Sequence, residues 1–206
     1  MKKSLLLCCA LTAFANNYPS FTPQELSLIE TKYTLISINR ITDFQNNIEV
    51  FRSLPKDLQL SKVNLYLNQL LPQYDTIIQQ QEDYWATPKE FLSTGYGDCE
   101  DYVIIKYFTL LELGFDEKDL FITVVKEKFS GGIHMVLSYF QTQSETPLIL
   151  DNLSFRILPL EKREDLVADM FINSSGVYRY QNKKLVKVAS KYPKYQELLI
   201  KIKQGF

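Results

Sequence analysis

The 206-residue chain sets 23 Lys and Arg against 24 Asp and Glu. That balance gives no electrostatic reason to expect nucleic acid or an anionic membrane surface as the main partner. Thirteen Tyr and thirteen Phe with only seven Gly suit a packed globular body and argue against a disordered secreted tail.

The first residues read as an address. Lys2 and Lys3, the apolar run Leu5 to Phe14 and the small-x-small pattern Ala13-Phe14-Ala15 form an export signal, with cleavage expected after Ala15. The run is roughly half of what a bilayer-spanning helix needs, so no membrane insertion is expected. Cys8 and Cys9 lack the small residue that a lipidation signal places just before its cysteine. Removal of residues 1–15 takes two of the three cysteines and leaves Cys99 alone. A lone thiol forms no internal disulfide; it is either a buried structural cysteine or a reactive one.

Residues 16–206 are expected to form one domain, with a helical lobe over about 16–92 and a second lobe over about 93–206. In the first lobe, Thr22-Pro23-Gln24-Glu25 is a capping box with Pro in the first turn. Leu26, Ile29, Tyr33, Ile36 and Ile41 then predict one helix running to the mid-forties. Leu58, Leu60, Val63, Leu65, Leu67, Leu70 and Leu71 predict a second helix buried on much of its circumference, with Pro72 bending the chain after it. Gln79 to Gln81 is the one low-complexity stretch. Thr87-Pro88-Lys89-Glu90 repeats the capping pattern and opens a short helix ending near Gly95, and Gly95-Tyr96-Gly97 reads as a flexible approach.

From Cys99, the positions Val103, Ile104, Tyr107, Phe108 and Leu111 keep helical period to Leu113, with Gly114 as the cap. The pattern then turns to β. Leu120 to Val125, Ile133 to Phe140 and Leu148 to Leu150 predict neighbouring antiparallel strands; Phe155 to Leu158, Gly176 to Tyr180 and Leu185 to Val188 extend the sheet. Tyr192 to Lys203 reads as a closing helix. Helices first and strands later give an α+β fold.

Cys99, His134 and Asp151 supply the residue types of thiol catalysis. Cys99 stands in the first turn of a helix, where unpaired N–H groups and the dipole stabilise a thiolate. His134, the single histidine, sits in a strand and can take the thiol proton and return it to a leaving amine. Asp151 ends the next strand, a hairpin's length on, where it can accept a hydrogen bond from the imidazole and fix its tautomer. Taken singly these signals are weak: a strand histidine is usually structural, and an Asp before Asn152 usually forms a turn. With one thiol and one imidazole in the mature chain, no other nucleophile or base of these types competes.

These residues carry a resemblance. Trp85-Ala86-Thr87-Pro88, Gly95-Tyr96-Gly97-Asp98-Cys99-Glu100-Asp101-Tyr102, His134-Met135-Val136-Leu137 and Leu150-Asp151-Asn152-Leu153 resemble, in order, the bacterial transglutaminase-like cysteine proteinases of the LapG family. The resemblance implies a papain/transglutaminase-like fold with Cys99, His134 and Asp151 in the triad positions. It also implies a periplasmic endopeptidase that cuts the amino-terminal region of a large surface adhesin, releasing it and dispersing biofilm, and that is sequestered by a cyclic di-GMP-sensing inner-membrane receptor.

Asp98, Glu100 and Asp101 crowd three carboxylates around a thiol that must itself become anionic, which opposes catalysis. Two readings are open. A Ca²⁺ ion bound by oxygen ligands would relieve the conflict; alternatively, the three acids simply cap the helix and complement its dipole. The resemblance implies the ion, held by the acids flanking the cysteine. Trp85, the single tryptophan, has two uses: packing, or donating its indole N–H to an oxyanion as an upstream tryptophan does in transglutaminase-like folds. The backbone N–H of Cys99 is a second oxyanion donor. Two rival functions use the same residues. One is acyl transfer to an amine, as in transglutaminases, and the other is a calcium-binding adaptor with an inert Cys99.

Overall fold

The computed structural model describes residues 20–72, 84–142 and 144–205, with backbone alone at 71–72. The expected export signal over 1–15, with Cys8 and Cys9, and the Gln79 to Gln81 stretch lie outside the described residues.

Six helices and nine strands are named here in chain order. The Thr22 capping box forms as expected and opens α1 (Pro23–Tyr33). The single long helix expected next is broken. Thr34 takes φ 118°, and its side chain accepts the Ile36 N–H at 3.3 Å, so the chain stops and recaps as α2 (Leu35–Arg52). Breaking there turns Leu35 and Ile36 outward, at 59% and 69% exposure, while Ile41, Phe44 and Ile48 go into the core.

In α3 (Lys56–Leu67), Gln59, Leu60, Val63, Asn64 and Leu67 are buried, whereas Leu58 and Leu65 are exposed. The helix is therefore amphipathic rather than buried all round, and two polar residues on its inner face are there for hydrogen bonds. After it, β1 (Leu71–Pro72) pairs in parallel with β2 (Tyr96–Gly97). The expected flexible approach to Cys99 is thus a paired strand.

Helix α4 (Pro88–Thr94) opens on the second capping box. Its C-terminal carbonyls are held from α2: Ser37 Oγ donates to Ser93 O at 2.6 Å, and Arg40 Nη1 donates to Leu92 O at 2.8 Å. Gly95 then turns the chain at φ 82°, with Arg40 packed where a Cβ would stand. The central helix α5 (Cys99–Glu112) is buried over its first three turns, from Glu100 to Leu110.

The sheet has seven antiparallel strands: β3 (Leu120–Glu127), β4 (Ile133–Tyr139), β5 (Leu148–Asp151), β6 (Ser154–Pro159), β7 (Leu166–Asn173), β8 (Gly176–Gln181) and β9 (Lys184–Ala189), in the order β6-β5-β4-β3-β7-β8-β9. One strand, β7, is unannounced by its sequence, yet it pairs directly with the central β3. Leu166 to Asn173 contains Ala, Asp and Asn, which are poor strand formers in isolation, so the strand is made by its neighbours. Helix α6 (Pro193–Gln204) closes the described chain.

The sheet's two faces do different jobs. Ile122, Val124, Met135, Leu137, Leu150 and Ile172 join one core cluster with α5 and with the buried faces of α2 and α3. Phe121, Phe140 and Phe171 form an aromatic cluster apart from it, edge-on at 5.5 Å for Phe121–Phe140, with Tyr178 and Tyr180 against it. The fold is α+β, with the cysteine-bearing helix laid across the sheet.

Candidate active site

Asp98 is the N-cap residue of α5, and its side chain makes no cap hydrogen bond. Cys99 follows at the first helical position, partly buried. Its thiol donates to Glu100 Oε2 at 3.1 Å. The sulfur also accepts the backbone N–H of Met135, the residue after His134, and this contact seats the helix N-terminus on the β4 segment that carries the imidazole.

Burial pushes the Cys99 thiol well above its ordinary range, and the Glu100 and Asp98 charges push the same way, against the Met135 N–H. The helix N-terminus was expected to lower it, but the neighbouring acids and the apolar surroundings outweigh that effect. The thiol proton points at Glu100 rather than at His134.

His134 and Asp151 meet as the sequence spacing anticipates. His134 Nε2 lies 2.9 Å from Asp151 Oδ1, with the residues only 4% and 1% exposed. β4 and β5 are hydrogen-bonded neighbours, which brings together residues 17 apart in sequence. Burial pushes the Asp151 carboxyl up, but His134, the Leu153 N–H and Arg163 together hold it well below the usual carboxylate range. An ionised carboxylate only accepts hydrogen bonds, so Nε2 carries a proton, and in the neutral form of the ring the lone pair is on Nδ1.

Three groups absent from the sequence reading surround Asp151. Arg163 Nη2 donates to Asp151 Oδ2 at 2.8 Å. Asn68, just past α3, donates to the Asp151 carbonyl at 2.7 Å. Lys106, fully buried in α5, donates to Asn64 Oδ1 at 2.8 Å and acts on Asp151 electrostatically. Arg163 falls in the run Glu161-Lys162-Arg163-Glu164-Asp165, which reads as a solvated loop; only tertiary folding shows one member turned inward. Lys106 did carry a signal, as a lysine on the apolar face of a helix expected to be central.

Trp85 is 4% exposed, and its Nε1 is buried with no hydrogen-bond partner among the described residues. Its ring packs on Tyr192 at 5.8 Å. The next residue, Ala86, donates its N–H to Asp101 Oδ1 at 2.8 Å, which ties the Trp85 segment to the first turn of α5. Asp101 also fills the space where a Gly97 side chain would go. Asn152 sits in the β5–β6 turn, whose Leu153 N–H bonds Asp151 Oδ1 at 2.9 Å.

Among the described residues, no three His, Cys, Asp or Glu side chains form a metal-binding group. Glu100 and Asp101 accept hydrogen bonds from Cys99 and Ala86. The donor chemistry at the head of α5 nevertheless fits a hard cation: carboxylates flank the thiol, and Ca²⁺ completes its shell of six to eight oxygens with backbone carbonyls and water.

The model of one family, bacterial transglutaminase-like cysteine proteinases, matches residues 41–166, a span that contains Cys99, His134 and Asp151. The chain belongs to this family. It is accordingly a LapG-family cysteine protease with a transglutaminase-like fold. Among solved structures, LapG of Legionella pneumophila in its calcium-bound form is 33% identical, with TM-score 0.75 and coverage of 87% of this chain and 98% of that one. The EGTA-treated form of the same LapG is also 33% identical, with TM-score 0.76 and coverage of 89% and 99%. No curated protein matches the chain. Among the described residues, no helix is long and apolar enough to cross a membrane.

Proposed function

We propose that this LapG-family protease is a calcium-dependent periplasmic endopeptidase that uses Cys99 as nucleophile, His134 as general base and Asp151 as the acid that orients the imidazole. The observation that carries this reading is the buried 2.9 Å His134–Asp151 hydrogen bond. It leaves Nδ1 as the base, on the strand whose next residue holds the Cys99 sulfur.

In this reading, His134 Nδ1 takes the thiol proton as Sγ attacks the scissile carbonyl. The Cys99 N–H and the Trp85 indole N–H stabilise the resulting oxyanion. His134 returns the proton to the leaving amine, a thioester remains on Cys99, and water hydrolyses it with His134 again as base. Ca²⁺ held by Asp98 and Glu100, with Asp101 bracing the loop, would supply positive charge beside the sulfur and occupy the oxygens that otherwise accept the thiol's hydrogen bond. Calcium comes to this chain from its donor chemistry and from the calcium-bound form of Legionella LapG.

The substrate in this reading is the amino-terminal region of a large surface adhesin, whose release disperses biofilm, and the regulator is a cyclic di-GMP-sensing inner-membrane receptor. Residues 1–15 export the protein, and 16–206 act as one catalytic domain. The test is cleavage of the amino-terminal fragment of a large adhesin from the same organism, with Ca²⁺ or EGTA, by wild type and by Cys99→Ala. Cleavage by wild type with Ca²⁺ alone is expected. Undiminished cleavage by Cys99→Ala would remove the nucleophile assignment, and amine incorporation without chain cleavage would make the enzyme an acyltransferase.

A further inference from the structure

We infer that Arg163 is a positioning residue for the catalytic pair: by holding Asp151 Oδ2 it presents Oδ1 to His134 and so selects the imidazole tautomer with its proton on Nε2. The inference rests on the reading of His134 as the general base.

Asp151 is gripped at three points. Oδ1 accepts from His134 Nε2 and from the Leu153 N–H, both at 2.9 Å, and Oδ2 accepts from Arg163 Nη2 at 2.8 Å. Torsion about the last bond of an aspartate is broad and nearly two-fold. Contacts to Oδ1 alone leave the carboxylate plane free to turn, whereas a contact on each oxygen defines it. Arg163 is the side chain that supplies the second.

The arginine is itself built in. It is 9% exposed, and its Nε and Nη2 donate to Asp165 Oδ1 at 2.9 Å and Asp165 Oδ2 at 2.7 Å. Its Nη1 is buried with no hydrogen-bond partner among the described residues. A guanidinium that gives up water on one nitrogen and is anchored on the other two is not an ordinary surface ion pair.

The charge of Arg163 matters as well as its shape. A protonated Asp151 could donate to Nε2 and drive the ring proton to Nδ1, which would leave nothing to accept the thiol proton. A fixed cation on Oδ2 favours the ionised form of Asp151 in either state of the imidazole. The titratable and charged groups facing Asp151 are His134 from β4, Lys106 from α5, and Arg163 with Asp165 from the segment after β6. From beyond α3, Asn68 reaches only the Asp151 backbone carbonyl.

The chain contains a single histidine, so the ring ¹⁵N spectrum of the labelled full-length protein reports the His134 tautomer directly. Wild type is expected to show the Nε2–H form. Arg163→Met, which keeps the stem and loses the fork, is expected to give mixed tautomers and to lower kcat on the adhesin fragment about tenfold or more with little change in KM. Arg163→Lys, which restores charge but not the two-sided grip, should fall between them. A lower melting temperature with wild-type ring shifts and wild-type kcat would make Arg163 a structural residue and overturn the inference. If Arg163→Met does not fold, Asp165→Asn, which removes the anchor of the guanidinium, is read the same way: a partial tautomer shift supports the inference, and an unchanged spectrum overturns it. The spectra need no substrate, so failure of wild type to cleave would sink the protease reading separately.

Discussion

The Trp85 indole N–H is a buried donor without a partner among the described residues, and leaving such a donor unmet costs about 1–3 kcal/mol. In the proposed mechanism the oxyanion of the acyl-transfer step meets that need. Trp85→Phe is therefore expected to lower kcat on the order of 10²-fold with KM little changed, while thermal unfolding moves only slightly, because lost ring packing is offset by removal of the unmet donor. Steady-state kinetics and calorimetry check both parts. Lys106 makes a different prediction. Burial pushes its pKa down to about 7, against the pull of Asp151, from an ordinary value near 10.5. Between those values the unfolded chain binds the extra proton, so stability contributed by this site rises with pH from about 7 to about 10.5. Lys106→Met should lack that rise. Urea unfolding of the two proteins across the window would show the wild type gaining on the variant, and parallel curves would place the Lys106 proton elsewhere. Asp151, whose folded pKa is depressed, contributes in the opposite sense: its stabilisation is present at neutral pH and is lost on acidification through and below the ordinary carboxylate range.

At the scale of elements, the approach to Cys99 is rigid. β2 pairs with β1 while the Asp101 carboxylate packs against Gly97 and holds the Ala86 N–H, so three segments converge on the first turn of α5. A Cβ on Gly97 would stand 2.5 Å from Asp101 Oδ2 and 2.8 Å from Asp101 Cβ. Either the strand or the helix start must move. Gly97→Ala is expected to destabilise by about 1–3 kcal/mol and to lower activity beyond that loss, since Cys99 and the Trp85 segment share the displaced contacts. Chemical unfolding and kcat on the remaining folded protein separate the two effects; full activity would show that this junction tolerates the shift. The capping boxes at Thr22 and Thr87 formed where the sequence pattern placed them, because their contacts lie within four residues. The break at Thr34 and the strand β7 were not legible. The first depends on which residues of α1 and α2 the short helix α4 can accept, and the second on the open edge of β3.

For the whole molecule, one core cluster runs from α1 through α5 to the sheet and α6, so the site is assembled from elements distant in the chain. A ligand that binds only the folded site stabilises everything coupled to it. With Ca²⁺ at about 100-fold its Kd the gain is about 2.7 kcal/mol, which raises the melting temperature on the order of 5–10 °C for a chain of this size. Scanning calorimetry with Ca²⁺ and with EGTA measures it. Equal melting temperatures would remove the ion from the reading and leave the protease assignment standing.

The candidates for nucleophile, base and acid were legible in the sequence, because one thiol, one imidazole and a strand-ending Asp leave little choice and because Gly-Asp-Cys-Glu-Asp-Tyr is a dense local pattern. The α+β class and most strands were legible too, since apolar period and turn residues are local properties. The structure alone decided how the acid is held. Asn68, Lys106 and Arg163 reach Asp151 from the end of one helix, the middle of another and a charged loop, and no sequence period links such positions. It alone also decided that the Cys99 proton faces Glu100. A carboxylate in the next position can point along the helix or across it, and burial of the helix start against β4 settles which.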